Sequence, residues 1–134
     1  MSTNSNIGIR YENGKIDSIY CHWDGYPEYN GRILNESYNK LEKVQELIEL
    51  GDISSLRHHI APVTDNPSKH TFDNPHDGVT VAYHRDRGEP LCETRDCCED
   101  EFKDQQYSYL FDVVENCWFF SEEGGPFIKY ETTN

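Results

Sequence analysis

The sequence predicts an α+β domain: an antiparallel sheet starting with an N-terminal β-hairpin, with two or three helices packed on it. Three observations predict this. Residues 7–23 hold two apolar-rich runs joined by Asn13-Gly14, residues 39–51 hold a helical stripe ended by a glycine, and residues 117–130 hold two aromatic runs around Gly124-Gly125. At 134 residues, with no internal repeat and no composition break, one domain spanning 1–134 is expected. Hydrophobic residues make up only 35%, but aromatics reach 13%, so a core can be built from few, large side chains. That aromatic content separates the chain from disordered acidic proteins.

Taken in order, the hairpin comes first. Asn-Gly is the preferred centre of a two-residue type I′ turn. Such a turn places Glu12 opposite Lys15, Tyr11 opposite Ile16, Arg10 opposite Asp17, Ile9 opposite Ser18 and Ile7 opposite Tyr20. One face then carries Ile7, Ile9, Tyr11, Ile16 and Tyr20, and the other two cross-strand ion pairs. Ile19, Cys21 and Trp23 fall on the ion-pair face, which implies that this end of the sheet is covered on both sides. Asp24-Gly25-Tyr26-Pro27 ends the strand. A short helix follows Asn30-Gly31, with Ile33, Leu34, Ser37 and Tyr38 on one side. A second helix is expected from Asn39 as N-cap with Glu42 as capping-box partner. Leu41, Val44, Leu47 and Ile48 form its stripe and Gly51 its stop.

Residues 52–78 read as loop, punctuated by Pro62, Pro67, Pro75 and Gly78 and rich in histidine. Val79 to His84 reads as a strand. Asp96 to Phe111 fits a helix, with Phe102, Gln106, Tyr109 and Leu110 on one face and Glu99, Asp100 and Glu101 in its first turn. Cys117 to Phe120 and Phe127 to Tyr130 read as a closing hairpin.

Charge is the strongest functional signal. The chain carries 25 Asp and Glu against 12 Lys and Arg, a formal net charge of −13. Small soluble domains usually lie within about ±8. Such a surface repels nucleic-acid phosphate and attracts basic partners. Asp24, Glu28, Glu99, Asp100, Glu101, Glu122 and Glu123 are the candidate contacts, with Tyr26 (and its neighbour Tyr29) as an aromatic anchor, a residue type favoured at interfaces. No apolar run approaches the roughly 20 residues of a membrane span, and residues 1–6 lack a signal-peptide pattern. A cytoplasmic protein is expected.

The chain shows no phosphate-cradling glycine loop, no G-x-S-x-G elbow and no H-E-x-x-H. Cys21 and His22 are adjacent, so on a strand they point to opposite faces and do not pair as nucleophile and base. Cys21 and Cys117 read as buried small hydrophobes. Cys92, Cys97 and Cys98, with His84 and His70, offer a ligand set for a structural zinc that would order a segment poor in core residues. A metalloenzyme would further need an open coordination position, and no general base is recognisable near these cysteines. Arg85 and Arg87 lie two apart just past a predicted strand. They invite either an anion or nucleotide site, with Arg57 as a third donor, or a rigid turn built on salt bridges to Asp86 and Glu89.

Three segments carry a family resemblance: Ile19-Tyr20-Cys21-His22-Trp23-Asp24-Gly25-Tyr26-Pro27 with Asn30-Gly31, Gly51-Asp52-Ile53-Ser54-Ser55-Leu56, and Tyr83-His84-Arg85-Asp86-Arg87-Gly88-Glu89. Over about residues 7–90 the chain resembles a family of small proteins carried by phages, prophages and plasmids. The C-terminal third departs from that pattern. The resemblance implies a mobile-element accessory protein, and by analogy an inhibitor of host defence such as an anti-CRISPR protein. The expectation is a non-enzymatic, stoichiometric inhibitor that binds a type II CRISPR effector nuclease in the host bacterial cytoplasm and blocks target DNA loading or cleavage. The alternative is a sponge that sequesters a nucleotide second messenger of an antiphage defence system. Direct nucleic-acid binding and membrane association are not expected.

Overall fold

The computed structural model describes residues 3–61, 70–75, 78–89, 95–97 (backbone only) and 106–130. These build the expected α+β fold. The strands are β1 (Ser5–Arg10), β2 (Ile16–Cys21), β3 (Ile53–Ser55), β4 (Val81–Ala82), β5 (Arg95–Cys97), β6 (Tyr107–Asp112), β7 (Cys117–Glu122) and β8 (Ile128–Lys129). The helices are α1 (Arg32–Ser37), α2 (Leu41–Glu49) and α3 (Tyr83–Arg87), and one π-helical turn spans Pro27–Gly31. The strands form one sheet in the order β4-β3-β2-β1-β6-β7-β8, with β5 pairing to the other end of β2's free edge. The sheet is mixed and not purely antiparallel, because β1 pairs parallel with β6 and β2 parallel with β3.

The hairpin forms, but one residue away from the predicted register. Ile7 faces Ile19, Ile9 faces Asp17 and Arg10 faces Ile16. The turn explains the shift. Gly14 N–H donates to Tyr11 O at 2.9 Å, Tyr11 N–H donates to Lys15 O at 2.9 Å, and only Gly14 is left-handed, at φ +86°. A type I′ turn needs two positive φ values. With one, the connection becomes a three-residue loop closed by a glycine bulge. A one-residue slip moves every β2 side chain to the opposite face. Ile19 and Cys21 therefore join Ile7 and Ile9, while Ile16 turns away to pack with Leu110 and Phe127. Glu12 and Lys15 lie in the loop, not in facing strands. Arg10, expected opposite Asp17, donates instead to Asp112 at the end of β6, Nε to Oδ2 2.8 Å.

Both α1 and α2 pack on one sheet face. Leu34, Tyr38, Val44, Leu47 and Ile48 meet Ile7, Ile9, Ile19, Ile53, Tyr109, Phe111 and Trp118 in one buried cluster. The α2 stripe is the predicted one, and Gly51 ends it at φ +77°. Its N-cap is Lys40 and makes no side-chain capping bond, so the Asn39–Glu42 capping box is not formed. Trp118 Nε1–H donates to Tyr38 O at 2.8 Å, and Tyr38 O–H to Arg57 O at 2.8 Å. These two bonds tie β7, the end of α1 and the loop after β3 together through the core.

Two predicted elements change type. Residues 107–111, expected in a helix, form β6, which lies between β1 and β7. Their run Tyr-Ser-Tyr-Leu-Phe is buried from Ser108 on, the signature of a central strand covered on both faces. The first turn of that predicted helix, 99–101, lies outside the described residues. The strand expected over Val79 to His84 is reduced to Val81–Ala82, and Tyr83–Arg87 turns into α3. Asp86 drives that change: its buried carboxylate accepts the Ala82 N–H at 2.8 Å, and Gly88 ends the helix at φ +79°. The closing hairpin is present as β7 paired with β8.

Asp112 is a sensitive joint. Burial raises its pKa, but the Glu115 amide, the Arg10 guanidinium and the Val114 amide outweigh it and hold the carboxyl below its ordinary range. A depressed folded-state pKa contributes stability above the unfolded value, near 4, that is lost as pH falls through the folded one. Asp112→Asn should therefore lose about 2 kcal/mol at pH 7. Urea denaturation should show this gap to the parent closing as the pH falls below about 4.

Candidate functional site: an acidic tyrosine face

The π-helical turn at 27–31 is held down by two tyrosines from the sheet. Tyr109 O–H donates to Gly25 O at 2.6 Å, and Tyr130 O–H donates to Pro27 O at 3.0 Å. Gly31 makes room for both rings. A Cβ there would lie 2.9 Å from Tyr130 Cε2 and 3.1 Å from Tyr109 Cε1. Gly25 is as tightly placed, since a Cβ would meet the Thr3 and Asn4 carbonyl oxygens at 2.9 Å. The turn consequently displays Tyr26 and Tyr29, 40% and 57% exposed, with ring centroids 6.0 Å apart. Tyr26 also lies 6.3 Å from Tyr107, which in turn stacks on Tyr109.

Carboxylates surround these rings. Tyr107 O–H donates to Glu122 Oε1 at 3.3 Å. Glu122 ends β7 and Glu123 begins the turn, left-handed at φ +50° with its N–H donated to Gln106 O at 2.7 Å. Glu28 sits in the first turn after Pro27. Partial burial, then the charges of Glu122, Glu28 and Glu123, push the Tyr107 phenol above its ordinary value. Burial and the Glu28 charge do the same to Tyr130. Four of the predicted contact residues, Tyr26, Glu28, Glu122 and Glu123, thus converge on one surface from turns far apart in sequence. A face of exposed phenol rings edged by carboxylates suits a lysine- and arginine-bearing partner: the rings take cation–π and stacking contacts and the acids take the charge.

Asp24 belongs elsewhere. It is left-handed at φ +58°, and its carboxylate is 3.7 Å from Arg57 Nη1. The arginines divide as well. Arg85 and Arg87, expected just past a strand, both lie on α3. Arg85 donates to Asp86, to Thr80 O at 2.7 Å and to Ile60 O at 2.5 Å, so it serves as a structural brace. Arg87 lies over the Phe72 ring at 4.7 Å and 3.7 Å from Glu89.

The two candidate zinc histidines are used separately. His70 Nε2 is 3.3 Å from Asp86 Oδ2, and His84 Nδ1 is 2.7 Å from Glu89 O. No group of three or more His, Cys, Asp or Glu among the described residues is placed to hold a metal ion. Cys92 and Cys98, with Glu99, Asp100 and Glu101, lie outside the described residues, and Cys97 is described by its backbone alone. Cys21 is buried as expected, with its thiol pushed up to about 12 by burial, whereas Cys117 is only half-buried.

One pairing escaped the sequence. Ser37 Oγ and His58 Nδ1 are 2.6 Å apart at the edge of a cavity of about 460 Å³ lined also by Tyr38, Lys43, Glu46 and His59. Glu36, the residue before Ser37, is itself bonded to Arg32 at 2.8 Å. The pair fastens the end of α1 to the loop after β3. Its spacing of 21 residues across a helix and a strand leaves no local pattern to detect.

No protein-family model, curated protein or solved structure matches this chain. No helix among the described residues is long and apolar enough to cross a membrane.

The field at Tyr107 is measurable. In the Glu122→Gln, Glu123→Gln variant the Tyr107 phenol should titrate at lower pH than in the parent. NMR of ring-labelled tyrosine reads this directly.

Proposed function

We propose that the protein acts by occupancy: its acidic tyrosine face docks on a basic surface of a partner protein, and no bond is made or broken. The observation that carries this reading is the convergence of exposed Tyr26 and Tyr29 with Glu28, Glu122 and Glu123 on one face. The net charge of −13 adds long-range attraction to the same kind of partner. The phage-family resemblance supplies the setting: a phage-encoded anti-defence protein in the cytoplasm of its bacterial host. The partner proposed is a type II CRISPR effector nuclease, which holds nucleic acid in a positively charged channel. Covering that channel, or a site beside it, blocks DNA loading.

The test uses a purified guide-loaded type II effector. The protein should bind it and suppress target cleavage at near-equimolar ratio, with association slowing as salt rises from 50 to about 200 mM. The Glu28→Gln, Glu122→Gln, Glu123→Gln variant should stay folded and bind about tenfold more weakly or worse. No binding to the effector discards this target. Undiminished binding by the variant discards the face.

A structural zinc at Cys92, Cys97 and Cys98 forms a further part of the proposal, supported by three thiols within seven residues. One zinc per chain after purification without chelator supports it, and zinc-free folded protein retires it.

A further inference from the structure

A second surface lies on the far side of Trp23 from the tyrosine face. The parallel β2–β3 ladder continues beyond the strands, with His22 N–H donating to Ile53 O at 3.2 Å and Trp23 N–H to Ser54 O at 3.0 Å. The chain then leaves through left-handed Asp24. The result is a cleft of about 380 Å³ whose lining includes Trp23, Asp24, Ser54, Ser55, Arg57 and Phe72. Its volume falls in the range of small-molecule sites.

The composition of this cleft is specific. Trp23 is 45% exposed, unusual for the largest side chain in a protein whose other tryptophan, Trp118, is 2% exposed. The indole is propped in place by an edge contact to His22, centroids 4.7 Å apart, and His22 is held by the Tyr20 hydroxyl at 2.9 Å. Phe72 is packed against Tyr83 at 5.7 Å and covered by the Arg87 guanidinium. Arg57 is half-exposed, with Nη1 donated to Leu56 O at 2.8 Å and the Asp24 carboxylate 3.7 Å away. An arginine fork binds phosphate oxygens in pairs. A fixed indole stacks any planar base, and Asp24 accepts from a sugar hydroxyl or base amine. In a chain with 25 acids and 12 bases, an arginine in a cleft beside an exposed indole matches a small aromatic anion. The overall negative charge disfavours a long phosphate polymer.

We propose that this cleft binds a small nucleotide, its base stacked on Trp23 and its phosphate held by Arg57. The site is separate from the tyrosine face and stands without the docking reading. It differs from the arginine set the sequence suggested, because Arg85 is committed to Asp86 and two backbone carbonyls.

Intrinsic fluorescence separates the two tryptophans, since exposed Trp23 emits to the red of buried Trp118. ADP and cyclic AMP are the probes, with adenosine, pyrophosphate and a ten-residue oligothymidylate as controls. At least one nucleotide should quench the red component saturably and release matching heat in calorimetry, and adenosine and pyrophosphate should each bind about tenfold more weakly or worse. Arg57→Gln should weaken nucleotide binding about tenfold and Trp23→Leu should abolish the quenching, with the Trp118 band and far-UV circular dichroism unchanged. Should one variant lose that folded signature, the other decides. No saturable response to either nucleotide up to about 1 mM, undiminished affinity in a folded variant, or equal competition by the oligothymidylate overturns the proposal.

Discussion

One left-handed residue, Gly14, decides which half of β2 faces the helices. With Gly14 alone at positive φ, the loop takes three residues, and the β2 ladder shifts by one. Ile19 and Cys21 turn to the buried face beside Ile7 and Ile9. Leu34, Val44, Leu47 and Ile48 have an apolar surface to cover only in this register. In this register Arg10 donates to Asp112, which ties the hairpin to β6. The parallel β1–β6 ladder then brings Tyr109 level with Ile7 and Phe111 level with Ile9, which continues the same face across the sheet.

The two proposed binding surfaces share a spine. Trp23, Asp24, Gly25 and Tyr26 are consecutive, and each goes to a different duty. Trp23 faces the cleft, Asp24 turns the chain with a left-handed backbone, Gly25 fits against the Thr3 and Asn4 carbonyls, and Tyr26 opens the tyrosine face. Close packing at Gly25 and Gly31 keeps the segment in place, and Tyr109 and Tyr130 bond its carbonyls. Exposed aromatic side chains rest here on a rigid support, which lowers the ordering cost that a binding surface must overcome.

Buried ionic groups divide the arginines into structural and surface classes. The carboxylate of Asp86 accepts from Ala82 and Arg85 and faces His70, while the Arg85 guanidinium also satisfies two carbonyls. Burial raises the pKa of Asp86, but Arg85 and the Ala82 amide outweigh it and keep the carboxyl below its usual range. Arg85 is therefore a brace for the loop before β4. Arg57 and Arg87 sit instead beside exposed or half-buried aromatic rings.

The sequence by itself determined what local patterns can carry: the existence of the first hairpin, the α2 stripe with its Gly51 stop, the closing hairpin, the large negative charge, and Tyr26 with its acidic neighbours as surface residues. Tertiary structure alone decided the rest. The register depended on one φ value that Asn-Gly does not specify. Residues 107–111 matched helical spacing because a strand buried on both faces loses its alternation. Tyr83–Arg87 became a helix because the buried Asp86 carboxylate captured an amide four residues back. The gathering of Glu28, Glu122 and Glu123 around Tyr107, and of Trp23 with Arg57 and Phe72, joins positions dozens of residues apart. Such neighbours are set by sheet order and chain crossing, for which no short-range signal exists.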